Sequence, residues 1–482
     1  MSFDLVNSVF AALIVAGAVT VAVLFVLDVN QHEDAIRRNY PVIGRFRDLF
    51  TTLGEFFRQY FFAMDREELP FNRAERDWVD HASEGGANTV AFGSTKQMAA
   101  VGNAIFVNAA FPPLDSEVGA PLPQVIGPDA AHPFQPRRLF NISGMSYGAL
   151  SAPAIRALSL GADKAGCWLN TGEGALAPEH EAGNADLVYQ IGTAKYGVQA
   201  ENATMDWDRL RSLSEKTNIR MFELKLAQGA KPGKGGILPA RKVSADIARV
   251  RGIPVGQPSV SPNRHTDIAS VTELHAMIAK MKTVTGKPVG IKIVVSGPEL
   301  IDGLSRAAAE HGVEGLPDFI TVDGGDGGTG ASPMPLMDNV GLPLREALVI
   351  AVDALRRNGL RERIRVIASG KLVTPSGVAL ALATGADFVV SARGFMFALG
   401  CIQAMKCNKN TCPTGITTHN PRLQQGLDPT DKAERVAHYV RAICSDVETI
   451  AHSCGVANPQ DLARQHVRIV QPDGSSRNFA EL

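Results

Sequence analysis

The sequence predicts an α/β protein whose main domain is a closed (β/α)8 barrel, or TIM barrel. From about residue 140, short apolar runs that end in glycine or polar residues alternate with longer helical stretches, as in a parallel sheet. Eight such runs can be counted, and eight βα units favour a barrel over the alternative, an open doubly wound sheet. The predicted strands are residues 139–145, 167–171, 194–198, 221–226, 289–295, 319–322, 365–369 and 388–391.

Composition indicates an enzyme-sized globular chain with no overall attraction to nucleic acid. The 482 residues are 45% hydrophobic and 20% charged, which allows a large core. The 48 basic and 49 acidic residues nearly cancel, so no whole-protein field favours nucleic acid. The six cysteines are too few and too clustered for a disulfide framework, which indicates a reducing compartment.

The N-terminal segment predicts a membrane anchor. Residues 5–27 carry no charge and are long enough to cross a bilayer as a helix. A cleaved signal peptide is the alternative, but no basic residue precedes the apolar run. Arg37, Arg38, Arg45 and Arg47 follow it, and the positive-inside rule then assigns the rest of the chain to the cytoplasm. We expect a single-pass protein of the cell membrane.

Four parts are expected along the chain. After the anchor comes an aromatic-rich collar that lies at the membrane interface or caps the barrel. The barrel's active site is expected at the carboxyl ends of its strands, and a helical extension is expected outside the barrel. The predicted parts are 1–30 (anchor), 31–138 (collar), 139–420 (barrel, with a cysteine-rich segment at 401–412) and 421–482 (extension).

A lysine- and glycine-rich segment after the fourth predicted strand indicates an anion site. It reads ELKLAQGAKPGKGG from Glu223 and places Lys225, Gln228 and Lys231 beside bare backbone amides. Ammonium groups give charge-assisted hydrogen bonds, and glycines let a small dicarboxylate come close. Arg251 is a candidate for a bidentate carboxylate fork. Lysines that only face solvent are the alternative.

Two later loops indicate a phosphate-bearing cofactor. The stretch DGGDGGTGAS at 323–332 contains a G-x-G-x-x-G match from Gly325, but Pro333 and Pro335 follow instead of a helix. The stretch therefore suits a loop over a flavin better than a dinucleotide fingerprint. The residues after the last two predicted strands, 369–371 and 391–394, occupy the usual phosphate position of a barrel. A single phosphate implies FMN, and glycines that only make tight turns are the alternative.

Three cysteines form a candidate metal site. Cys401, Cys407 and Cys412 are separated by five and four residues, and thiolates at such spacing can hold an iron-sulfur cluster. Zinc is a weaker candidate because His419 is a poor fourth ligand and the paired C-x-x-C spacing is missing. Three unliganded thiols are the remaining alternative.

Six motifs in order give residues 141–419 a resemblance to the FMN-binding synthase domain of glutamate synthases. They are NISGMSYGALS, NTGEG, QGAKPGKGG, SPNRHTD, GGDGGTGAS and ALGC with its two later cysteines. The segments RNYPVIGR and RQY further resemble a stand-alone, membrane-anchored branch of that family.

The resemblance implies reductive amination of 2-oxoglutarate, through 2-iminoglutarate, to glutamate or an N-substituted glutamate. Lys225, Gln228, Lys231 and Arg251 would hold 2-oxoglutarate, and Glu173 would lie where ammonia reaches it. Cys401, Cys407 and Cys412 would ligate a [3Fe-4S] cluster, refilled by an external donor such as ferredoxin or a reductase subunit. The residues expected at the FMN are Met145, Ser146, Lys292, Gly325, Gly327, Gly328, Gly370, Lys371, Arg393 and Gly394.

The chain also departs from the family pattern. No glutaminase domain precedes the barrel, so nitrogen is expected from free ammonium, an amine or a separate subunit. Ala175 stands where the family often has glycine, and Lys234 stands where an acidic residue is common. Two other functions stay open: an FMN oxidoreductase of another substrate, and a membrane-bound flavin and iron-sulfur electron-transfer subunit.

Overall fold

The computed structural model describes residues 3–114, 116–118 and 123–482. Two compact units make up the chain: the first ends at Arg76 and the second runs from Asp77 to Leu482. The helix Arg73–Ser83 spans the boundary between them.

The first unit is helical. Its longest element is the helix Phe3–Asn30, and Asp4–Asn30 is long and apolar enough to cross a membrane. A short helix, Ala35–Asn39, begins at Asp34, whose carboxylate accepts hydrogen bonds from the first backbone amides. The helix Gly44–Phe57 follows and passes directly into a π-helical turn, Arg58–Phe62.

The second unit is built around a closed barrel of eight parallel strands, so the predicted fold class is confirmed. Each strand pairs with its neighbours in chain order, and the eighth pairs with the first. The strands are short and buried, which suits a sheet covered on its outer face by helices. They are β1 (Phe140–Ile142), β2 (Leu169–Asn170), β3 (Leu187–Ile191), β4 (Ile219–Lys225), β5 (Val289–Ile293), β6 (Phe319–Asp323), β7 (Arg365–Ser369) and β8 (Phe388–Ser391).

One predicted strand was wrong. Residues 194–198 were expected to form the third strand, but they form turns, and β3 is instead Leu187–Ile191. The backbone excludes an extended run there because Lys195 has φ +51° and Gly197 has φ +82°. The other seven predicted strands overlap observed ones.

Helices follow the strands and cover the barrel. The long helix Pro429–Ser453 packs against Ala152–Ala165, and Gly161 permits this approach because a Cβ there would meet the Val436 side chain at 2.5 Å. The remaining helices of the barrel are Trp207–Ser214, Ala245–Arg251, Val271–Thr285, Glu299–His311, Met334–Met337, Leu344–Arg357, Pro375–Thr384, Arg393–Ala398 and Pro421–Gln424. Short 3-10 turns lie at Pro178–Glu181, Ala240–Lys242, Val313–Gly315, Pro459–Asp461, Arg464–His466 and Phe479–Glu481.

The amino end of the barrel is closed by apolar packing. Ile126 and Phe134 pair with each other and join a buried cluster with Trp168, Phe319 and Phe388 at the strand starts. The opposite, carboxyl end is therefore the one that can be open to ligands.

Two small antiparallel sheets complete the second unit. Ala104–Phe106 pairs with Val467–Val470, which also pairs with Ser476–Asn478, so strands that were not predicted accompany the helices near the C-terminus. Ile237–Leu238 pairs with Ser259–Val260.

Candidate active site

An open cavity with about 950 Å³ of empty space, part of which is open solvent, lies at the carboxyl ends of the strands. A second open cavity, with about 520 Å³ of such space, shares Gly144, Gln190, Lys225, Gln228 and Arg393 with it, so the two adjoin. Both are lined by the loops that follow the barrel strands, where a barrel enzyme has its active site.

Lys225 joins Glu173 to the lysine- and glycine-rich segment at residues 223–236, the predicted substrate loop. Its Nζ donates a hydrogen bond to Gln228 Oε1 at 2.9 Å and lies 3.1 Å from Glu173 Oε1. Lys225 is the last residue of β4, and Gln228 is three residues further along the loop. Residues from β4 and from the loop after β2 therefore meet over the cavity.

Two further buried cations face the same cavity. Burial lowers the pKa of Lys231, although the nearby Glu173 carboxylate acts in the opposite direction. Arg251 is held by Tyr147 and Ser259, because Nη2 donates to the Tyr147 carbonyl at 2.9 Å and Nη1 to Ser259 Oγ at 3.1 Å. Its Nε is buried and has no hydrogen-bond partner among the described residues. These bonds fix the guanidinium in place, and its Nε–H donates to no described residue.

The Glu173 carboxylate is ionised and fits between two glycines. A Cβ at Gly192 would lie 2.7 Å from its Oε2, and a Cβ at Gly236 would lie 2.8 Å from its Oε1. Burial by itself would raise the pKa of Glu173, but Lys225 and the other cations outweigh it and hold the pKa below its ordinary value. Glu173 therefore stays negative at neutral pH.

The second cavity is lined by the loops after β7 and β8. Gly370 and Lys371 both have positive φ, +137° and +49°, which turns this loop sharply at the cavity wall. Arg393 donates from Nη2 to the Thr329 carbonyl, and a Cβ at Gly328 would lie 2.9 Å from its Nε. Cationic side chains and freed backbone in one concave loop are the features that a phosphate group needs.

The Asp323 carboxylate connects four parts of the site. It accepts hydrogen bonds from Gly229 N at 2.9 Å and from Ser369 Oγ at 2.7 Å, and Lys292 Nζ lies 3.4 Å from its Oδ2. Burial alone would lower the pKa of Lys292, but Asp323 and Glu223 outweigh it, so the pKa is raised. The ends of β5, β6 and β7 and the substrate loop are thus fixed by one carboxylate.

A buried carboxylate also lies within the barrel below the second cavity. Glu223 accepts hydrogen bonds from Asn170 Nδ2 at 3.0 Å and Gln190 Nε2 through one oxygen, and from Thr321 Oγ1 at 2.6 Å through the other. Four strands, β2, β3, β4 and β6, are therefore linked by these side chains.

The cysteine segment has an unusual backbone and cationic neighbours. Gln403, Met405 and Asn410 all have positive φ, which non-glycine residues rarely adopt. Lys242 Nζ donates to the Ala149 carbonyl at 2.8 Å and to the Cys407 carbonyl at 3.3 Å. Burial lowers the pKa of Lys242 to about 8, against the opposing effect of the cysteines.

The three thiols suit iron-sulfur chemistry but do not form a metal site here. Arg393 Nη1 lies 3.9 Å from Cys407 Sγ, and all three cysteines are free. Within residues 3–114, 116–118 and 123–482, however, no three His, Cys, Asp or Glu side chains lie close enough to hold a metal ion.

Most of the predicted site residues line the two cavities, and four do not. Gly325 packs against Gly341, Gly394 packs against Tyr439, and Cys401 and Cys412 lie outside both cavity walls. Those that line one or both cavities are Met145, Ser146, Glu173, Lys225, Gln228, Lys231, Arg251, Lys292, Gly327, Gly328, Gly370, Lys371, Arg393 and Cys407.

Sequence reasoning missed four polar residues at or next to the site. Gln190 interrupts an apolar strand, Glu223 lies between Phe222 and Leu224 of β4, and Asp323 is the last residue of β6. A polar residue beside buried apolar ones in a strand is a usable signal. Lys242 follows Arg241 in a short 3-10 turn, and the sequence carries no sign of its burial.

Solved structures with a similar backbone are distant from this chain. A mandelate oxidase variant with an FMN adduct has a TM-score of 0.45 and 14% identity, and covers 82% of this chain and 92% of its own. A flavocytochrome b2 variant with sulfite has a TM-score of 0.48 and 12% identity, with 88% and 85% coverage. Such distant likeness does not bear on cofactor or substrate.

Sequence relatives are closer. The family described as the conserved region in glutamate synthase matches residues 117–457. The glutamate synthase large subunit-like protein YerD of Bacillus subtilis is 38% identical over an alignment of 498 positions, which covers 95% of this chain and 94% of YerD. A large subunit-like protein of Rhizobium meliloti is 30% identical, with 69% and 73% coverage.

Another relative is a longer enzyme. The archaeal-type glutamate synthase [NADPH] of Thermotoga neapolitana is 35% identical over 318 residues, which is 65% of this chain and 59% of that protein. The family match covers most of this chain, and the relative from Bacillus subtilis matches nearly end to end. The chain therefore belongs to the glutamate synthase family of oxidoreductases.

Proposed function

We propose that this chain is an FMN-dependent oxidoreductase that makes glutamate, or an N-substituted glutamate, from 2-oxoglutarate and ammonia or a small amine. The observation that carries the proposal is the grouping of Lys225, Lys231 and Arg251 around one carboxylate, Glu173, in a cavity that adjoins a phosphate-sized loop. Three buried cations suit a dicarboxylate, and one buried anion suits an ammonium group.

The cations bind and orient the keto acid. Lys231 lines the cavity beside Arg251 and is the donor available to a substrate carboxylate, whereas Lys225 already bonds to Gln228 and Glu173. In this proposal, Lys225 polarises the keto oxygen of the substrate, and Gln228 keeps the Lys225 ammonium group in position through their hydrogen bond. Such positioning turns the condensation into an intramolecular event.

Glu173 binds the nitrogen donor and takes part in its proton transfers. Because it is ionised, its carboxylate attracts an ammonium or alkylammonium ion and accepts a proton from it. The free amine adds to the keto carbon, the proton held by Glu173 passes to the new hydroxyl group, water leaves, and a C=N bond forms. The same carboxylate then stabilises the positive charge on the iminium nitrogen. Reduction of 2-iminoglutarate adds two electrons and two protons.

The second cavity fits FMN. Gly370, Lys371 and Arg393 would hold its phosphate, and Lys292 would lie near its ring. Bound FMN would supply hydride transfer to the imine carbon. Lys292 is kept charged by Asp323 and Glu223, so it can hold negative charge near the ring.

A [3Fe-4S] cluster on Cys401, Cys407 and Cys412 is the second proposed cofactor, and it would supply one-electron transfer. The thiols and the neighbouring cations, Lys242 and Arg393, favour it by donor type and charge. No reaction step is assigned to the cluster because the described side chains do not form a metal site.

The chain is also proposed to be a single-pass membrane protein with its barrel in the cytoplasm. The apolar helix Asp4–Asn30 and the arginines that follow it favour this arrangement. Electrons would come from an external donor such as ferredoxin or a reductase subunit.

The test is turnover by the purified full chain with photoreduced flavin. 2-Oxoglutarate is supplied with ammonium or with methylamine, and glutamate or N-methylglutamate is measured by mass spectrometry. Product with either amine supports the proposal, and no product with either refutes it. Reduced flavin that exchanges electrons with a membrane partner but yields no amino acid would favour the electron-transfer subunit.

A further inference from the structure

A continuous apolar stripe runs along the helix Gly44–Phe57 and the π-helical turn after it. Its members recur at intervals of three or four residues, which places them on one helix face. Such a stripe normally faces a protein core, but here it is exposed: Phe50 is 66% and Phe61 is 73% accessible. The described members are Phe46, Leu49, Phe50, Leu53, Phe57 and Phe61.

The opposite face of this helix is polar. Asp48, Thr51 and Thr52 lie there, and the two threonine hydroxyls donate to backbone carbonyls one turn earlier, at 2.8 and 2.9 Å. Apolar and polar residues are therefore separated to opposite sides, as in helices that lie in a membrane surface.

The start of the helix is fixed beside the end of the candidate membrane span. Asp28, 1% exposed, lies 2.7 Å from Arg45 Nη2 and accepts a hydrogen bond from Val42 N at 2.9 Å. Gly44 allows the chain to pack closely here, because a Cβ would lie 3.0 Å from Arg37 Cα. If the span crosses a bilayer, Asp28 marks the membrane boundary, and the amphipathic helix begins at that level.

We propose that Gly44–Phe57 lies in the membrane-water boundary with its apolar stripe against the acyl chains, as a second lipid contact of the same chain. This inference rests on the proposed membrane span. Arg45 is paired with Asp28 and Arg37 with Asp48, whereas Arg38 and Arg47 form no ion pair among the described residues, so anionic lipids can add to the contact but are not required for it. Apolar burial drives the contact, which therefore forms on zwitterionic phosphatidylcholine.

The test is photo-crosslinking of the full chain in phosphatidylcholine nanodiscs. One variant carries p-benzoylphenylalanine in place of Phe50, and the matched control carries it in place of Thr52, about 200° around the same helix. Flavin content confirms that each variant is folded. We expect lipid adducts at position 50, at least ten times more abundant than at position 52, by mass spectrometry.

Each other outcome overturns the inference. Equal lipid labelling at positions 50 and 52 would mean that the helix has no preferred face. Crosslinks from position 50 to the barrel would make the stripe a cap, and crosslinks to a second copy would make it an oligomer interface. No adduct at position 50 excludes a lipid contact.

Alkaline carbonate extraction of membranes separates this inference from the span on which it rests. Protein that resists extraction yet forms no adduct at position 50 retains its span and loses the amphipathic contact. If the protein is extracted but forms the adduct, the proposed membrane span is wrong and the amphipathic contact is retained.

Discussion

Replacing Asp323 by Asn tests whether one carboxylate holds the cofactor side and the substrate side of the site together. Asp323 accepts hydrogen bonds from Gly229 and Ser369 and is paired with Lys292, and all of these groups are buried. Asn keeps the size of the side chain but removes its charge. It also turns one acceptor into a donor, so that either Gly229 N and Lys292, which share Oδ2, or Ser369 Oγ at Oδ1 loses its acceptor.

The expected loss is large because the partner charge stays buried. Breaking a buried ion pair from one side typically costs about 3–5 kcal/mol. Ser369→Ala is the matched control: it removes one neutral donor from the same carboxylate and should cost about 1 kcal/mol. For a barrel of this size, Asp323→Asn should lower the unfolding temperature by roughly 5 °C or more, and Ser369→Ala by only about a third as much.

The measurement is thermal unfolding of the full chain in detergent, together with flavin affinity by fluorescence titration. Lys292 has a raised pKa, so its contribution to stability is present below the unfolded pKa of 10.5 and is lost only as pH rises through the folded value. The difference between Asp323→Asn and the native protein should therefore be constant from pH 7 to 9. Equal unfolding temperatures for Asp323→Asn and Ser369→Ala would refute the role of the charge.

Four further changes test other parts of the site. Lys231→Met should raise KM for 2-oxoglutarate about 10-fold or more at unchanged flavin content, since a charged hydrogen bond contributes about 1.5–3 kcal/mol, and an unchanged KM contradicts its role. Glu173→Gln should abolish amine incorporation while 2-oxoglutarate binds at least as tightly by calorimetry; retained turnover contradicts it. Cys407→Ser should lose the low-temperature EPR signal of anaerobically purified protein and keep the flavin absorbance, and a retained signal excludes this thiol as a ligand. Burial lowers the pKa of His180 and His265 to about 4, so the unfolded protein binds more protons than the folded protein between pH 6.5 and 4. The free energy of unfolding should therefore fall by up to about 3 kcal/mol per histidine as the pH is lowered through that window. A flat unfolding temperature over that range would count against both shifts.

The barrel could be predicted from the sequence because its strands are short apolar runs, each closed by turn residues. The third strand failed for a local reason: Ala194, Tyr196 and Val198 alternate with polar or glycine residues as a strand would, but two positive φ angles break the extension. The true strand is Leu187–Ile191. Its Gln190 is polar and so weakens the apolar pattern of the segment. The glutamine is accommodated because its side chain donates a hydrogen bond to Glu223 inside the barrel.

The substrate loop could be predicted from the sequence, whereas the contacts between different strands of the site could not. Lys225, Gln228 and Lys231 lie within seven residues, so the segment itself shows their grouping. By contrast, Lys225 lies opposite Lys292, and Ser369 opposite Asp323, on adjacent strands. These pairs are set by the register of the strands. Register depends on how the whole barrel closes, which no single segment encodes.

The charges that line the candidate site favour anions. Four buried cations face three buried carboxylates, and burial of an uncompensated charge is costly unless a counter-charge is bound. Under the proposed function, an anionic substrate and a phosphate supply that counter-charge, whereas a neutral keto compound would leave Lys231 without one. The net positive charge of this set, four cations against three carboxylates, thus favours an anionic substrate over a neutral one. The charges concerned are those of Lys225, Lys231, Arg251 and Lys292 and of Glu173, Glu223 and Asp323.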